Sequence, residues 1–509
     1  MSAPPDRPID TFTTTLGSQE LRRRAASGGA FTVAAQGMRF ALTIFTMAAL
    51  ARLLSPETFG LFAMTATLTA LLLWLGEAGL SQATVQRPEI THQQISTLFW
   101  INLAIGGSLA VACWLLAPAL AAFYGEPQLT AVTRVMAVDF LLVGAAAQFT
   151  ALHNRHLRFR LLALLGVGSI VFGAATAVVA AWQGAGVWAL VVQKLVADVA
   201  LLLGLVLAAR WLPGLPRRTE GLGGLLGFGG RLALYQLLTA LVGQADRILL
   251  GAYVGKQDLG LFDRSSNLTR MPLNLIVQPA ARVMTPSLAR TQDDPAAYRS
   301  IFLGALTSLA LVVLPGYALL AALAPELVRI LLGEQWVAAI PLFSILSVAF
   351  MVGTIRWSFN WLWISQGRSG EQLHYGAISA VAFLAAFVCG LPWGTVGVAT
   401  AGVVAHVLLT PIGVWRVGRS GPVGARALLE ALVPGVVLAT AVGVVPTVAR
   451  WQLHLPDHPV PALLELGAIA GVVLALGYAI LPDGRRLLRQ VLNQLTRGSR
   501  SFASAVSRT

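Results

Sequence analysis

The chain is 509 residues long, 56% hydrophobic and only 11% charged, with a formal net charge of +14 and a mean hydropathy of +0.73. That balance excludes a soluble globular protein, because no polar stretch is long enough to clothe so much apolar surface. It fits a polytopic membrane protein whose basic excess follows the membrane, so no nucleic-acid partner is expected.

A polar head carrying Arg22, Arg23 and Arg24 precedes an apolar run that starts near Gly28. No small-residue cleavage site follows a short apolar core, so this run reads as a retained first span and not a removed signal peptide. About fourteen helix-length apolar segments follow the period and length of membrane spans. They run roughly 29–51, 58–80, 95–118, 130–152, 161–182, 186–209, 226–253, 259–285, 300–323, 338–363, 373–391, 395–415, 427–448 and 462–481. The connections are short, and the longer ones are marked by Pro or Gly, as in Leu212-Pro213-Gly214-Leu215-Pro216. With the amino terminus in the cytoplasm, strict alternation collects Arg22, Arg23, Arg24, Arg87, Arg155, Arg158, Arg160, Arg217, Arg218, Arg416 and Arg419 on the cytoplasmic side. Only Arg52, Lys256, Arg329 and Arg450 fall on the other side. This asymmetry predicts an even number of spans with both termini inside. Cys113 and Cys389 lie within apolar segments without ligand-type neighbours and read as packing residues; no disulfide, metal or cofactor is expected.

The chain matches itself at an offset of two hundred residues. Leu50–Thr69 reads LARLLSPETFGLFAMTATLT and Leu250–Thr269 reads LGAYVGKQDLGLFDRSSNLT; Gly60-Leu61-Phe62 falls on Gly260-Leu261-Phe262, and Gln36 on Gln236. An even number of spans separates the copies, which predicts parallel repeats and two pseudo-symmetric halves with cargo bound in a cavity between them. The predicted fold is an all-α polytopic membrane protein of about 14 transmembrane helices: two six-helix lobes plus a C-terminal helix pair. Its expected divisions are a cytoplasmic tail at 1–28, an N-lobe at 29–220 and a C-lobe at 221–420. An extra pair at 421–483 and a basic amphipathic tail at 484–509 complete it.

Charges inside the spans are the candidates for chemistry, since one at the bilayer centre costs at least ~2.5–3.5 kcal/mol on insertion scales. Arg39 and Arg270 sit near the middle of their spans. On the first span Thr32, Gln36, Arg39, Thr43 and Thr46 recur at helical steps, as do Gln236, Thr239, Gly243 and Asp246 on the seventh. On the eighth, Asp263, Asn267, Arg270, Asn274, Gln278 and Arg282 form a stripe; the second carries Thr65, Thr69 and Glu77. Helix-to-helix hydrogen bonding accounts for isolated Thr and Asn, whereas a wet cationic cavity accounts for all four stripes and suits phosphate or carboxylate. Asp139, Arg356 and His406 are candidates for coupling or gating, as is Glu77. Lys194 and Asp198, four apart, are expected to pair. The tryptophan-rich run Arg356–Trp363 reads as an aromatic belt at the cytoplasmic interface. No Walker loop, dinucleotide fingerprint or nucleophile triad is present, so the chain is expected to be a transporter and not an enzyme.

The segment Leu50–Ala63, LARLLSPETFGLFA, resembles the signature of bacterial polysaccharide-transporter proteins. Gly76–Ala83, Asp246–Gly251 and Leu259–Phe262 fit the same group. These are Wzx-type flippases of the multidrug/oligosaccharidyl-lipid/polysaccharide exporter superfamily. The resemblance covers roughly residues 20–420. It implies a two-lobed bundle in the bacterial inner membrane, lined by spans one, two, seven and eight, that moves an undecaprenyl-diphosphate-linked oligosaccharide between leaflets for surface polysaccharide synthesis. By that analogy Arg39 and Arg270 face the diphosphate and glycan. The coupling ion, proton or sodium, stays open, as does work alongside polysaccharide polymerase and chain-length machinery. A lipid II or drug exporter of the same superfamily is the nearest alternative. A glycan polymerase or ligase is a more distant one and would need a large extramembrane loop.

Overall fold

The structure is a computed structural model that describes residues 18–76, 84, 90–209, 211–215, 240–453, 456, 458–490 and 493. Among these residues every regular element is a helix. The chain groups into two units, Met1–Gly260 and Leu261–Thr509.

Unit 1 holds α1 (Ser18–Leu53), α2 (Pro56–Gly76), α3 (His92–Tyr124), α4 (Gln128–Met136), α5 (Val138–Arg155), α6 (Phe159–Trp182), α7 (Val187–Ala209) and α8 (Ala245–Tyr253). It also takes the first turn of α9 (Lys256–Pro272). Local chemistry sets the ends of α3: the Thr91 hydroxyl accepts from Gln94 N at 3.2 Å while Gln94 Oε1 accepts from Thr91 N at 3.1 Å, a reciprocal capping box. Gly125 ends the helix at φ 69°, a left-handed cap that suits glycine. The fourth apolar segment is broken at Ala137 into α4 and α5, a division that its hydropathy alone does not mark. α1 packs on α6, α6 on α7, α3 on α5, and α2 on α3 and α4. The boundary between the units lies about forty residues beyond the one expected at 220, because α8 and the start of α9 pack against α2.

Unit 2 continues α9 into a five-residue π turn, Leu273–Val277, and then α10 (Gln278–Ala289). The rest is α11 (Pro295–Ala322), α12 (Ala324–Leu331), α13 (Ile340–Ser365), α14 (Ser369–Gly390), α15 (Gly394–Ser420), α16 (Ala425–Gln452) and α17 (Pro459–Ile480). α11 packs along α16, α13 on α11 and α15, α14 on α15, and α17 on α16. The final helix pair is thus packed into unit 2 and adds Leu428, Leu432 and Ala439 to its core.

Among the described residues eleven segments are long and apolar enough to cross a membrane, against about fourteen expected. Three of the expected spans are not among the eleven as separate segments. Ser369–Arg419 counts as one segment but holds α14 and α15. Half of the expected seventh span, 226–239, lies outside the described residues. The eighth, α9 to α10, is a helix too rich in charge to meet an apolar criterion, with Asp263, Arg264, Arg270 and Arg282 along it.

Two readings of polar and aromatic pattern are corrected. The tryptophan run does not form an interfacial belt: Phe359, Trp361 and Trp363 are buried with Phe302 and Tyr298 in the core of unit 2. α13 is surrounded by α10, α11 and α15, so its aromatic face meets protein on several sides. Thr65 and Thr69 do not line an open face either. Both are buried; Thr65 meets Thr133 of α4 at 3.3 Å and Thr69 donates to Ala66 O at 3.0 Å. A threonine satisfied by its own helix or a neighbouring hydroxyl needs no water, so its polarity is a poor marker of a cavity.

The two-hundred-residue repeat reappears as a contact. A methyl at Gly60 of α2 would lie 1.7 Å from Lys256 O, and one at Gly260 of α9 would lie 1.9 Å from Pro56 O. Residue 60 meets 256 and residue 260 meets 56, so each copy's glycine receives the other copy's first turn. Only a side chain without Cβ permits backbones to approach this closely. Of the amphipathic tail expected at 484–509, residues 484–490 are helical, with Leu487 packed in unit 2 and Arg485, Arg486 and Arg489 exposed.

Candidate functional site

In unit 1 the polar face of α1 is exposed at Gln36, Arg39 and Thr43, while Thr46 is buried. Thr43 donates back to Arg39 O at 2.8 Å. The Arg39 guanidinium lies over Gly166 of α6: a methyl at that glycine would be 3.2 Å from Nη1. Among the described residues no carboxylate pairs with Arg39. A guanidinium carries forked donors whose geometry suits an anion. Gln236 and Glu77 lie outside the described residues. Asp246, on α8, accepts from Arg247 N at 2.8 Å and stands 3.7 Å from Arg247 Nη1, so this adjacent pair is local.

In unit 2 the stripe on α9 divides into two parts. Asp263 is buried, and its Oδ2 accepts from Arg264 Nη2 at 2.6 Å and Asn267 Nδ2 at 2.8 Å. One of its partners is thus the adjacent arginine, one residue along the same helix. Arg270 sits one turn further, with its guanidinium 5.5 Å from the centre of the Phe350 ring. The π turn begins three residues later and presents Asn274 to the surface. Such a turn inside an α-helix often marks a functional position.

Two clusters join residues that the sequence offered singly. The first, in unit 1, is Asp139, Lys194 and Asp198. Lys194 Nζ donates to Asp139 Oδ1 at 2.7 Å and also to Asp198. The i, i+4 pair on α7 is as expected; the buried Asp139 comes to it from α5, fifty-five residues away, and no spacing rule could reveal it. Two carboxylates share one ammonium, so with all three groups charged the cluster carries one net negative charge. The second, in unit 2, centres on Arg356 of α13. Its Nε donates to Tyr375 Oη at 2.9 Å, Nη2 to Ser379 Oγ at 2.7 Å and Nη1 to His406 Nδ1 at 3.1 Å. The guanidinium also packs on the Tyr375 and Phe383 rings at 5.4 and 5.2 Å. Because arginine only donates, His406 must accept at Nδ1 and carry its proton on Nε2. Every acceptor here is neutral, so this cation is held by dipoles and ring faces. Arg356→Lys should therefore destabilise the protein despite its retained charge, by roughly 1–3 kcal/mol, since one ammonium cannot reach three partners on two helices. The midpoint of a thermal unfolding series in detergent measures it.

The chain matches the family described as "Polysaccharide biosynthesis protein" over residues 49–341. It is 26% identical over 468 residues to the succinoglycan biosynthesis transport protein ExoT of Rhizobium meliloti (strain 1021), covering 89% of this chain and 92% of that one. It is 24% identical over 372 residues to the lipopolysaccharide biosynthesis protein WzxC of Escherichia coli (strain K12), covering 73% and 76%. The teichuronic acid biosynthesis protein TuaB of Bacillus subtilis (strain 168) is 26% identical over 286 residues, which span 59% of that protein. In fold, the chain is similar to the lipid II flippase MurJ in an inward closed conformation, with a TM-score of 0.70 at 13% identity over 89% of this chain and 98% of that one. A multidrug resistance MATE family transporter in its inward-facing conformation follows, with a TM-score of 0.55 at 14% identity over 77% and 96%. With its many apolar helices and a family match over more than half its length, the chain is a multi-pass membrane protein that belongs to the polysaccharide biosynthesis protein family.

Proposed function

We propose that this protein is a flippase that carries undecaprenyl-diphosphate-linked oligosaccharide repeat units across the bacterial inner membrane for surface polysaccharide assembly, with both termini in the cytoplasm. The observation that carries this reading is Arg39, a guanidinium with no carboxylate partner among the described residues, within Ala34–Leu53, a segment apolar enough to cross a membrane. Family membership and the fold support it. In this reading Arg39 and Arg270 recognise the diphosphate by charge-assisted hydrogen bonds, and Gln36, Thr43, Gln236, Asp246, Asp263, Asn267 and Asn274 serve the polar head group. The lipid tail stays in the bilayer, because only the charged head needs a path that avoids hydrocarbon. Asp139, with its net-negative cluster, and the Arg356–His406 pair are the places where a coupling proton or sodium ion would act; Glu77 is a further candidate. Polysaccharide polymerase and chain-length machinery would receive the product.

Arg39→Ala and Arg270→Ala should each lower glycan delivery to the far leaflet about tenfold or more at unchanged protein level, the equivalent of one lost charged hydrogen-bond pair. Surface polysaccharide labelling in a complemented deletion strain reads the delivery. Mass spectrometry of its lipid extract should show the undelivered lipid-linked oligosaccharide. Wild-type delivery by both variants would remove the arginines from the site, and an unaltered lipid extract would remove the activity.

A further inference from the structure

Unit 1 contains a second cationic feature far along the chain from Arg39. A cavity of about 360 Å³ lies where the N-terminal end of α3, the C-terminal ends of α5 and α7, and the α5–α6 turn come together. Its lining includes His92, His153, His156, Arg158 and Trp211. That volume is in the range of small-ligand sites. The polar part of its lining is rich in hydrogen-bond donors and contains no carboxylate among the described residues. Arg158 spends one donor, Nη1, on Ala208 O at 3.1 Å. Trp211 Nε1 is buried with no hydrogen-bond partner. That N–H is shielded from the cavity, so Trp211 contributes its ring to the wall. Among the described residues no group of three His, Cys, Asp or Glu side chains is placed to hold a metal, so the imidazoles do not form a metal site.

The walls are built and held. Residues 211–215 are tied to α3 by Trp100 Nε1 donating to Gly214 O at 2.8 Å and Gly214 N donating to Ser96 Oγ at 3.0 Å. Trp211 sits edge-on to His92, Phe99 and Phe149. His153 is fixed through Nε2 to Leu205 O at 3.1 Å. Between His156 and Arg158, Leu157 adopts φ 53°, the left-handed region that a leucine rarely enters. That turn lets the chain reverse within three residues and brings His156 and Arg158 to the same cavity.

We propose that this pocket binds a phosphate-bearing group, independently of the cargo carried by the translocation reading. The Arg158 guanidinium and the imidazoles of the lining carry donor groups that suit the oxygens of an anion such as phosphate. The group comes either from the head of an anionic lipid or from a soluble phosphorylated compound. The experiment uses the full chain in lipid nanodiscs. In the lipid arm, native mass spectrometry follows retention of phosphatidylglycerol from an equal mixture with phosphatidylcholine. In the soluble arm, inorganic pyrophosphate is titrated into protein in pure phosphatidylcholine nanodiscs. Saturable one-to-one binding is expected in one arm, weakened about tenfold by the double variant R158Q/H156Q. Arg160→Gln removes an exposed arginine that lies outside the lining and should leave binding unchanged. The proposal is overturned by no saturable binding in either arm, by binding that the double variant retains, or by an equal loss in Arg160→Gln. If the double variant does not fold, Arg158→Gln and His156→Gln decide singly, and unchanged affinity in both overturns the proposal.

Discussion

Gly60→Ala and Gly260→Ala are each expected to destabilise the protein by about 3 kcal/mol or more, above what one added methylene costs in a side-chain core. The atoms in the way are backbone carbonyls, Lys256 O at 1.7 Å and Pro56 O at 1.9 Å from the new methyl, and a carbonyl in a helix cannot swing aside as a side-chain tip can. The helices must part by more than an ångström, and the packing around Leu61, Leu259 and Phe59 loosens with them. The double variant should cost clearly less than the sum, because the separation forced by the first methyl makes room for the second. Heating followed by fluorescence-detected size-exclusion chromatography measures all three. Additive losses would mean that the two glycines are relieved by different movements and are not halves of one contact.

Lys194→Met is expected to be the most damaging change in the Asp139–Lys194–Asp198 cluster. Removing the ammonium leaves two carboxylates that shared it, one of them with only 2% of its side chain exposed. Stripping the partner from buried charges costs about 3–5 kcal/mol, and the 40% exposure of the lysine side chain places this case at the lower end. Asp198→Asn should fall within about 1 kcal/mol of wild type, since it leaves a matched Asp139–Lys194 pair and discharges the surplus. The same heating series separates the two. Equal stability of Lys194→Met and wild type would show that the carboxylates already hold the proton that balances them. For transport, Asp139→Asn should abolish the dependence of delivery on the ion gradient if the cluster is the coupling site proposed above.

Sequence carried the helical architecture because a span announces itself by composition over about twenty residues. The glycine-leucine-phenylalanine self-match carried more: Gly60 and Gly260 recur because the fold brings their backbones together. Lys194 and Asp198 were legible through i, i+4 geometry, and Asp139 was not, since partnership across helices leaves no local period. The same reason hid the bond between Arg356 and His406, fifty residues apart. Tryptophans 361 and 363 misled because an aromatic cluster at a span end has one composition whether it meets lipid head groups or neighbouring helices. Thr65 and Thr69 misled because hydroxyls bond within their own helix.

The π turn at Leu273–Val277 fixes the rotational phase of everything after it. Each residue of an α-helix advances by about 100°, so removing one residue from this turn would swing α10 by about that angle relative to α9. Gln278 and Arg282, now exposed, would exchange places with flanking apolar side chains, while Asp263 and Arg270 upstream stayed where they are. Loss or gain of a single codon here would thus re-aim half of the helix, and relatives that differ in length at this point should carry their polar residues on a correspondingly shifted set of positions.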